Sequence, residues 1–147
     1  MSGQGATRTG GCLCGAVRFT AVPAKPEFDA CHCSTCRRWS AGPFLSFHCE
    51  GAVTVEDASK VAVYRSSGWA ERHFCRTCGT SLFYKLVGRD YWSVSVEALD
   101  DAAGLAFASQ IFIDEKPGYY AFADDTEMMT GAEVFAAASA AGGNGNG

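Results

Sequence analysis

The feature that most restricts how this chain can fold is the spacing of its cysteines. They fall as Cys12-Leu13-Cys14, then Cys31-His32-Cys33-Ser34-Thr35-Cys36, then Cys75-Arg76-Thr77-Cys78, with Cys49 on its own. Thiols set this close either pair as disulfides or converge on a metal, and both options tie separate segments to one point. Nothing in the first residues looks like the apolar centre of a secretory signal, and no apolar run reaches membrane-spanning length. A soluble, cytoplasmic protein is therefore expected, with no membrane partner. In a reducing compartment the CxC and CxxC spacings favour metal ligation over a disulfide framework.

The thiols count as four plus three. Cys12, Cys14, Cys75 and Cys78 make the complete tetrahedral set of a structural zinc site. Gly79, directly after Cys78, suits a knuckle whose backbone N–H groups turn toward sulfur. The competing reading of Cys75 and Cys78 is a redox dithiol, and the missing βαβ pattern around them speaks against it. Cys31, Cys33 and Cys36 come from one short loop and match a metal held by three protein groups, with a fourth position for water or substrate. An incoming thiol bound there would be held as thiolate. The alternatives are a closed site completed by Cys49, His32, His48 or His73, and an iron–sulfur cluster. Next to the triad, Arg37 and Arg38 are candidates to receive carboxylates, against the plainer reading of a solvated face, and Trp39 is a candidate wall. The three histidines are expected beside ligands or at the surface, and Cys49 as a small buried apolar residue.

A chain of 147 residues suits one core. We expect a tail over 1–10, one zinc domain over 11–135 and an Ala/Gly-rich tail over 136–147. The net charge of −4 argues against a broad nucleic-acid-binding face. Alternating apolar and polar residues predict short strands over Ala16–Val22, Glu27–Ala30, Phe44–Cys49, Ala52–Val55, Val61–Arg65, Ala70–Phe74, Ser81–Leu86, Tyr91–Val96 and Ser109–Ile113. A helical turn is expected from Ser34, capped by Ser34 and Thr35, and a brief helix over Glu133–Ala141. The class this predicts is mainly β.

Three stretches together, Gly11-Cys12-Leu13-Cys14-Gly15, Cys31-His32-Cys33-Ser34-Thr35-Cys36-Arg37 and Phe74-Cys75-Arg76-Thr77-Cys78-Gly79-Thr80, with Tyr64-Arg65-Ser66-Ser67 between, resemble the glutathione-dependent formaldehyde-activating enzyme family, which includes the centromere protein V domain. The resemblance implies an Mss4-like, zinc-containing antiparallel β-sandwich, or β-tent. It implies Cys12, Cys14, Cys75 and Cys78 as structural zinc ligands, and Cys31, Cys33 and Cys36 as the catalytic zinc site where glutathione engages. The implied activity is that of a carbon–sulfur lyase adding the glutathione thiol to formaldehyde to give S-(hydroxymethyl)glutathione, with Arg37 or Arg38 meeting a glutathione carboxylate. Small thiol and aldehyde substrates are thus the expected partners. The competing class is a non-catalytic zinc module that carries a thiol adduct or binds a protein.

Overall fold

In the computed structural model, residues 6–140 are described, and the chain runs through eleven strands and two helices among them. These are β1 (Arg8–Gly11), β2 (Arg18–Ala21), β3 (Glu27–Cys31), α1 (Ser34–Ser40), β4 (Phe44–His48), β5 (Thr54–Val55), β6 (Val61–Arg65), β7 (Ala70–Cys75), β8 (Ser81–Leu86), β9 (Trp92–Ser95), β10 (Ala106–Ile111), β11 (Glu127–Met129) and α2 (Gly131–Ala140). A small sheet has the order β1-β2-β5, and a large one β11-β10-β3-β4-β9-β8-β7-β6. The mainly β sandwich is thus as expected. Its strands pair antiparallel except at one end, where β10 runs parallel to both β3 and β11. The stretch 112–126 between β10 and β11 is long enough for the crossover a parallel pair requires, and side-chain alternation carries no information on strand direction.

The period of two along each strand divides the large sheet into two differently used faces. One face buries Phe47, Phe83 and Val94 against Val17, Phe19 and Ala21 of the small sheet side. Phe19 meets Phe83 edge to face at 4.9 Å. Each fully buried ring or branched chain here contributes about 1.5 to 3 kcal/mol at most. The register slips between His73 and Phe74, so Leu82 is an extra residue on β8 and joins Phe83 in the same core. The opposite face gathers Cys31, Phe44, Tyr84 and Leu86, together with Cys33, Cys36, Ile111 and Phe112. Cys75 belongs to the first core and the triad to the second, so the two cysteine groups lie against opposite faces of one sheet.

Two boundaries differ from the sequence reading. Strand β1 begins at Arg8, inside the stretch expected to lack structure. It is held by Thr9, which donates to the Asp100 carboxylate at 2.7 Å, and by the close approach of Gly10. A Cβ on Gly10 would lie 2.4 Å from the Ala98 carbonyl oxygen and 2.5 Å from the Phe19 ring, so only glycine fits. Helix α1 is capped by Cys33, whose Sγ accepts from the Cys36 N–H at 3.3 Å, and not by Ser34 or Thr35. The Ser34 N–H instead donates to the Glu115 carboxylate at 2.9 Å. The Gly-rich segment at 141–147 lies outside the described residues, and Glu133 to Ala140 of the expected helix falls within α2. No described helix is long and apolar enough to cross a membrane.

Candidate metal centres

All eight cysteines are free thiols, and seven of them gather into two groups. In the first, the sulfurs of Cys12, Cys14, Cys75 and Cys78 all lie within 4.8 Å of one another. Four sulfurs around an ion at about 2.3 Å would be about 3.8 Å apart along each tetrahedral edge. Cys12 Sγ to Cys14 Sγ is 3.6 Å and Cys14 Sγ to Cys75 Sγ is 3.8 Å, so these two edges match that spacing and the four sulfurs could hold a metal ion. The backbone is already turned to support negative sulfur. Cys75 Sγ accepts from the N–H groups of Thr77 at 3.3 Å and Cys78 at 3.4 Å, and Cys12 Sγ from that of Val17 at 3.2 Å. Gly79, with φ +81°, makes the left-handed step that closes this turn, and its N–H returns to the Cys75 carbonyl. The Thr80 hydroxyl and the backbone N–H groups around it draw the Cys78 thiol down to about 5.

The second group, Cys31, Cys33 and Cys36, is delivered by the end of β3 and the first turn of α1, and all three are buried. Their sulfurs too lie within 4.8 Å of one another, and no histidine or carboxylate among the described residues joins the set. Hydrogen bonds from Cys31 and Cys36 pull the Cys33 thiol strongly down, and the same contacts hold Cys31 well above the ordinary thiol range. Three such thiols give up a first proton readily and resist losing the next. A bound divalent cation removes that resistance, because it holds several thiolates together.

The residue that sequence reasoning missed is Arg72. Its side chain is 1% exposed, and its Nη1 donates to Cys36 Sγ at 3.1 Å while its Nε donates to Ser66 Oγ at 3.1 Å. The guanidinium lies over the Trp39 ring at 5.2 Å and the Tyr84 ring at 4.8 Å. The alternation of β7 held a faint signal, because Arg72 shares a face with the fully buried Ala70. The two predicted arginines are separated. Arg37 Nε donates to the His32 carbonyl at 2.8 Å, whereas Arg38 lines a cavity of about 430 Å³ that Arg72 and Trp39 also line.

Among the histidines, His32 is fully buried beside the triad and belongs to neither ligand group. Its Nε2 donates to Gln110 Oε1 at 2.8 Å, which leaves Nδ1 to accept from the Tyr120 hydroxyl at 2.8 Å. Burial, offset in part by that Gln110 contact, lowers its proton affinity, so the ring is neutral. His73 reaches Glu71 at 3.1 Å, and His48 contacts Tyr91 and Ser93 at 3.3 Å each. Cys49 joins neither group; it packs half-buried against the first core, just past β4.

The family model described as glutathione-dependent formaldehyde-activating enzyme matches residues 7–115. An uncharacterized lyase of Schizosaccharomyces pombe is 37% identical over 126 residues, covering 85% of this chain and 92% of that protein. A putative glutathione-dependent formaldehyde-activating enzyme of Halomonas elongata is 34% identical over 83 residues, 50% of this chain and 53% of its own length. A crystal structure of a Rhodobacter sphaeroides protein superposes with a TM-score of 0.55 at 23% identity, covering 68% of this chain and 99% of the other. That last likeness concerns the fold.

Proposed function

Because the chain belongs to the glutathione-dependent formaldehyde-activating enzyme family, we propose that it is a carbon–sulfur lyase joining glutathione to formaldehyde, with zinc at both cysteine groups. The thiol sulfur forms a bond to the carbonyl carbon, the C=O π pair moves to oxygen, and the thiol proton ends on that oxygen as S-(hydroxymethyl)glutathione. Zinc held by Cys31, Cys33 and Cys36 would supply a soft Lewis acid that keeps an arriving thiol deprotonated. The chain's own residues do the rest. Arg72 fixes the Cys36 sulfur and its charge, Trp39 and Tyr84 keep water from the guanidinium, and His32 anchors the loop from behind. Arg38 lines the cavity that a carboxylate of the thiol substrate would occupy, and Arg37 braces the loop backbone. The zinc on Cys12, Cys14, Cys75 and Cys78 would be structural. Eight free thiols fit a reducing, cytoplasmic setting.

The observation that carries this reading is a triad of sulfurs within 4.8 Å of one another to which no fourth His, Cys, Asp or Glu is added among the described residues. Catalytic zinc sites keep such a three-ligand set. A second reading, a module with two structural metals, is favoured by the burial of all three triad cysteines. The test is the rate of adduct formation from glutathione and formaldehyde, measured without protein, with protein and with Cys33→Ala. Acceleration that disappears in the variant supports the lyase; three equal rates leave the module.

A further inference from the structure

The large sheet ends in two strands that have a neighbour on one side only, β11 and β6. β11 is three residues long, whereas β6 has five, contains no proline, and pairs with β7 without a register shift. Such an edge presents a row of backbone donors and acceptors to any strand that can reach it. Which residues carry the row follows from the ladder. The Ser66 N–H donates to the Ala70 carbonyl at 3.1 Å and the Arg76 N–H to the Lys60 carbonyl at 2.9 Å, so the even-numbered residues of this segment bond to β7. Val61, Val63 and Arg65 therefore turn their N–H and C=O groups outward.

The fold closes the first of these three and leaves the others open. The Val61 N–H donates to the Ala58 carbonyl, and the Val61 carbonyl accepts from Arg76 Nη2 at 3.2 Å. Arg76 Nε covers the Ser59 carbonyl beside it, also at 3.2 Å. Among the described residues no partner is placed on the outer groups of Val63 and Arg65. The same stretch is the exposed part of the strand, with Val63 at 53% and Tyr64 at 64%.

These open groups are complementary to themselves. When two β6 strands run antiparallel about a two-fold axis at Tyr64, Val63 of each copy faces Arg65 of the other, and both pairs exchange N–H and C=O, giving four backbone hydrogen bonds. An axis at Val63 would set Arg65 against Val61, whose groups are already engaged, and would leave two. With the axis at Tyr64 the two phenol rings form the close, non-hydrogen-bonded pair, where aromatic side chains meet across strands. No like charges stand opposite, because Arg65 faces Val63 and its neighbour in register on β7 is Glu71.

We propose that the chain forms a two-fold dimer through β6, which continues the large sheet across two copies and sets the second copy's Tyr64 at the rim of the 430 Å³ cavity that Tyr64 itself lines. A contact along one strand edge is small beside the roughly 1,600 Å² of a standard interface, so a dissociation constant on the order of 10 to 100 µM is expected. Sedimentation equilibrium of the zinc-loaded full chain across that range should fit a monomer–dimer exchange. Amide hydrogen exchange at Val63 and Arg65 should slow together as the dimer fills.

Tyr64→Lys sets two ammonium groups at the closest pair and should weaken the dimer about ten-fold or more. Val63→Pro deletes an outward N–H, spares the β6–β7 ladder, and should weaken the dimer as much with the Tm little changed. Should Val63→Pro not fold, Tyr64→Lys, a change at an exposed side chain, decides the point alone. Tyr119→Lys alters a ring that is 82% exposed in the stretch before β11, and should leave the equilibrium as it was. A chain that stays monomeric throughout overturns the proposal and leaves the edge to a foreign strand. So does a dimer that Tyr64→Lys leaves intact, one that Tyr119→Lys weakens equally, or one that forms without slowing exchange at Arg65.

Discussion

The two cysteine groups offer the same ligand atoms in opposite surroundings. The four-cysteine group joins segments 61 residues apart, stands at the edge of the small sheet, and has its sulfurs met by backbone N–H groups. The triad comes from one stretch of six residues, is buried against the other face of the large sheet, and is met by a guanidinium. A crosslink that closes a loop of about sixty residues removes on the order of 4 kcal/mol of unfolded-state entropy, and one that closes six removes about half as much. On the proposed assignment, a metal at the first site would do more for stability, and the second would serve the reaction while also packing in a buried core.

The sharpest way to break that contrast is a pair of substitutions. Cys75→Ser opens the long closure and leaves a polar hydroxyl where a fully buried sulfur stood, so it should cost several kcal/mol out of a total of about 5 to 15. We expect a loss of roughly 10 °C or more in Tm, or a chain that does not fold, with chelation of both metals producing the same result. Cys33→Ser, by contrast, should retain the far-ultraviolet circular dichroism and most of the Tm. Equal losses from the two would erase the division of labour.

The sequence foretold this contrast unevenly, and for physical reasons. Cysteine spacing is a local property, so both ligand groups could be read from it. Strand alternation is local too, so β6 and β8 are where it put them, and the other seven strands it predicted agree within a few residues. What was lost depends on contacts across the fold. Arg72 lies among Glu71 and His73, and nothing in that run says which polar side chain is buried under two aromatic rings. The cap of α1 was assigned to Ser34 and Thr35 because hydroxyls are the usual caps, yet a Cys33 thiol occupied the position. β1 and β11 are held by distant partners, Asp100 and β10, which alternation within so few residues cannot report.

A middle-sized effect tests whether the triad is braced independently of the knuckle. Tyr120→Phe removes the hydroxyl that donates to His32 Nδ1, on a ring with no exposure. An orphaned buried acceptor costs about 1 to 3 kcal/mol. The Tm should fall by a few degrees, and chelator competition should report a weaker triad metal with the four-cysteine metal unchanged. Equal weakening of both metals would mean the two faces of the sheet are coupled.

The smallest expected effect concerns the knuckle side and is set by pH. Asp100 accepts from Arg18 and Thr9, and so ties β1 and β2, which flank Cys12 and Cys14, to the rim of the 730 Å³ groove. The Arg18 hydrogen bonds, and then Thr9, hold its carboxyl at about 2, below the ordinary 3.8. A folded-state value below the unfolded one means that the stabilisation is complete above about pH 4 and is lost as pH falls toward 2. Both side chains are about two-fifths exposed, at 39% and 45%, so solvent and salt screen the pair and the contribution is modest. Asp100→Asn should therefore lower Tm slightly at pH 6, less so in high salt, and the gap from the parent protein should close between pH 4 and pH 2. Triad chemistry should not respond to this substitution. If the lyase rate fell while the Tm held, the Arg18–Asp100 pair would belong to the working side of the molecule, and the assignment of one cysteine group to stability and the other to reaction would have to be redrawn.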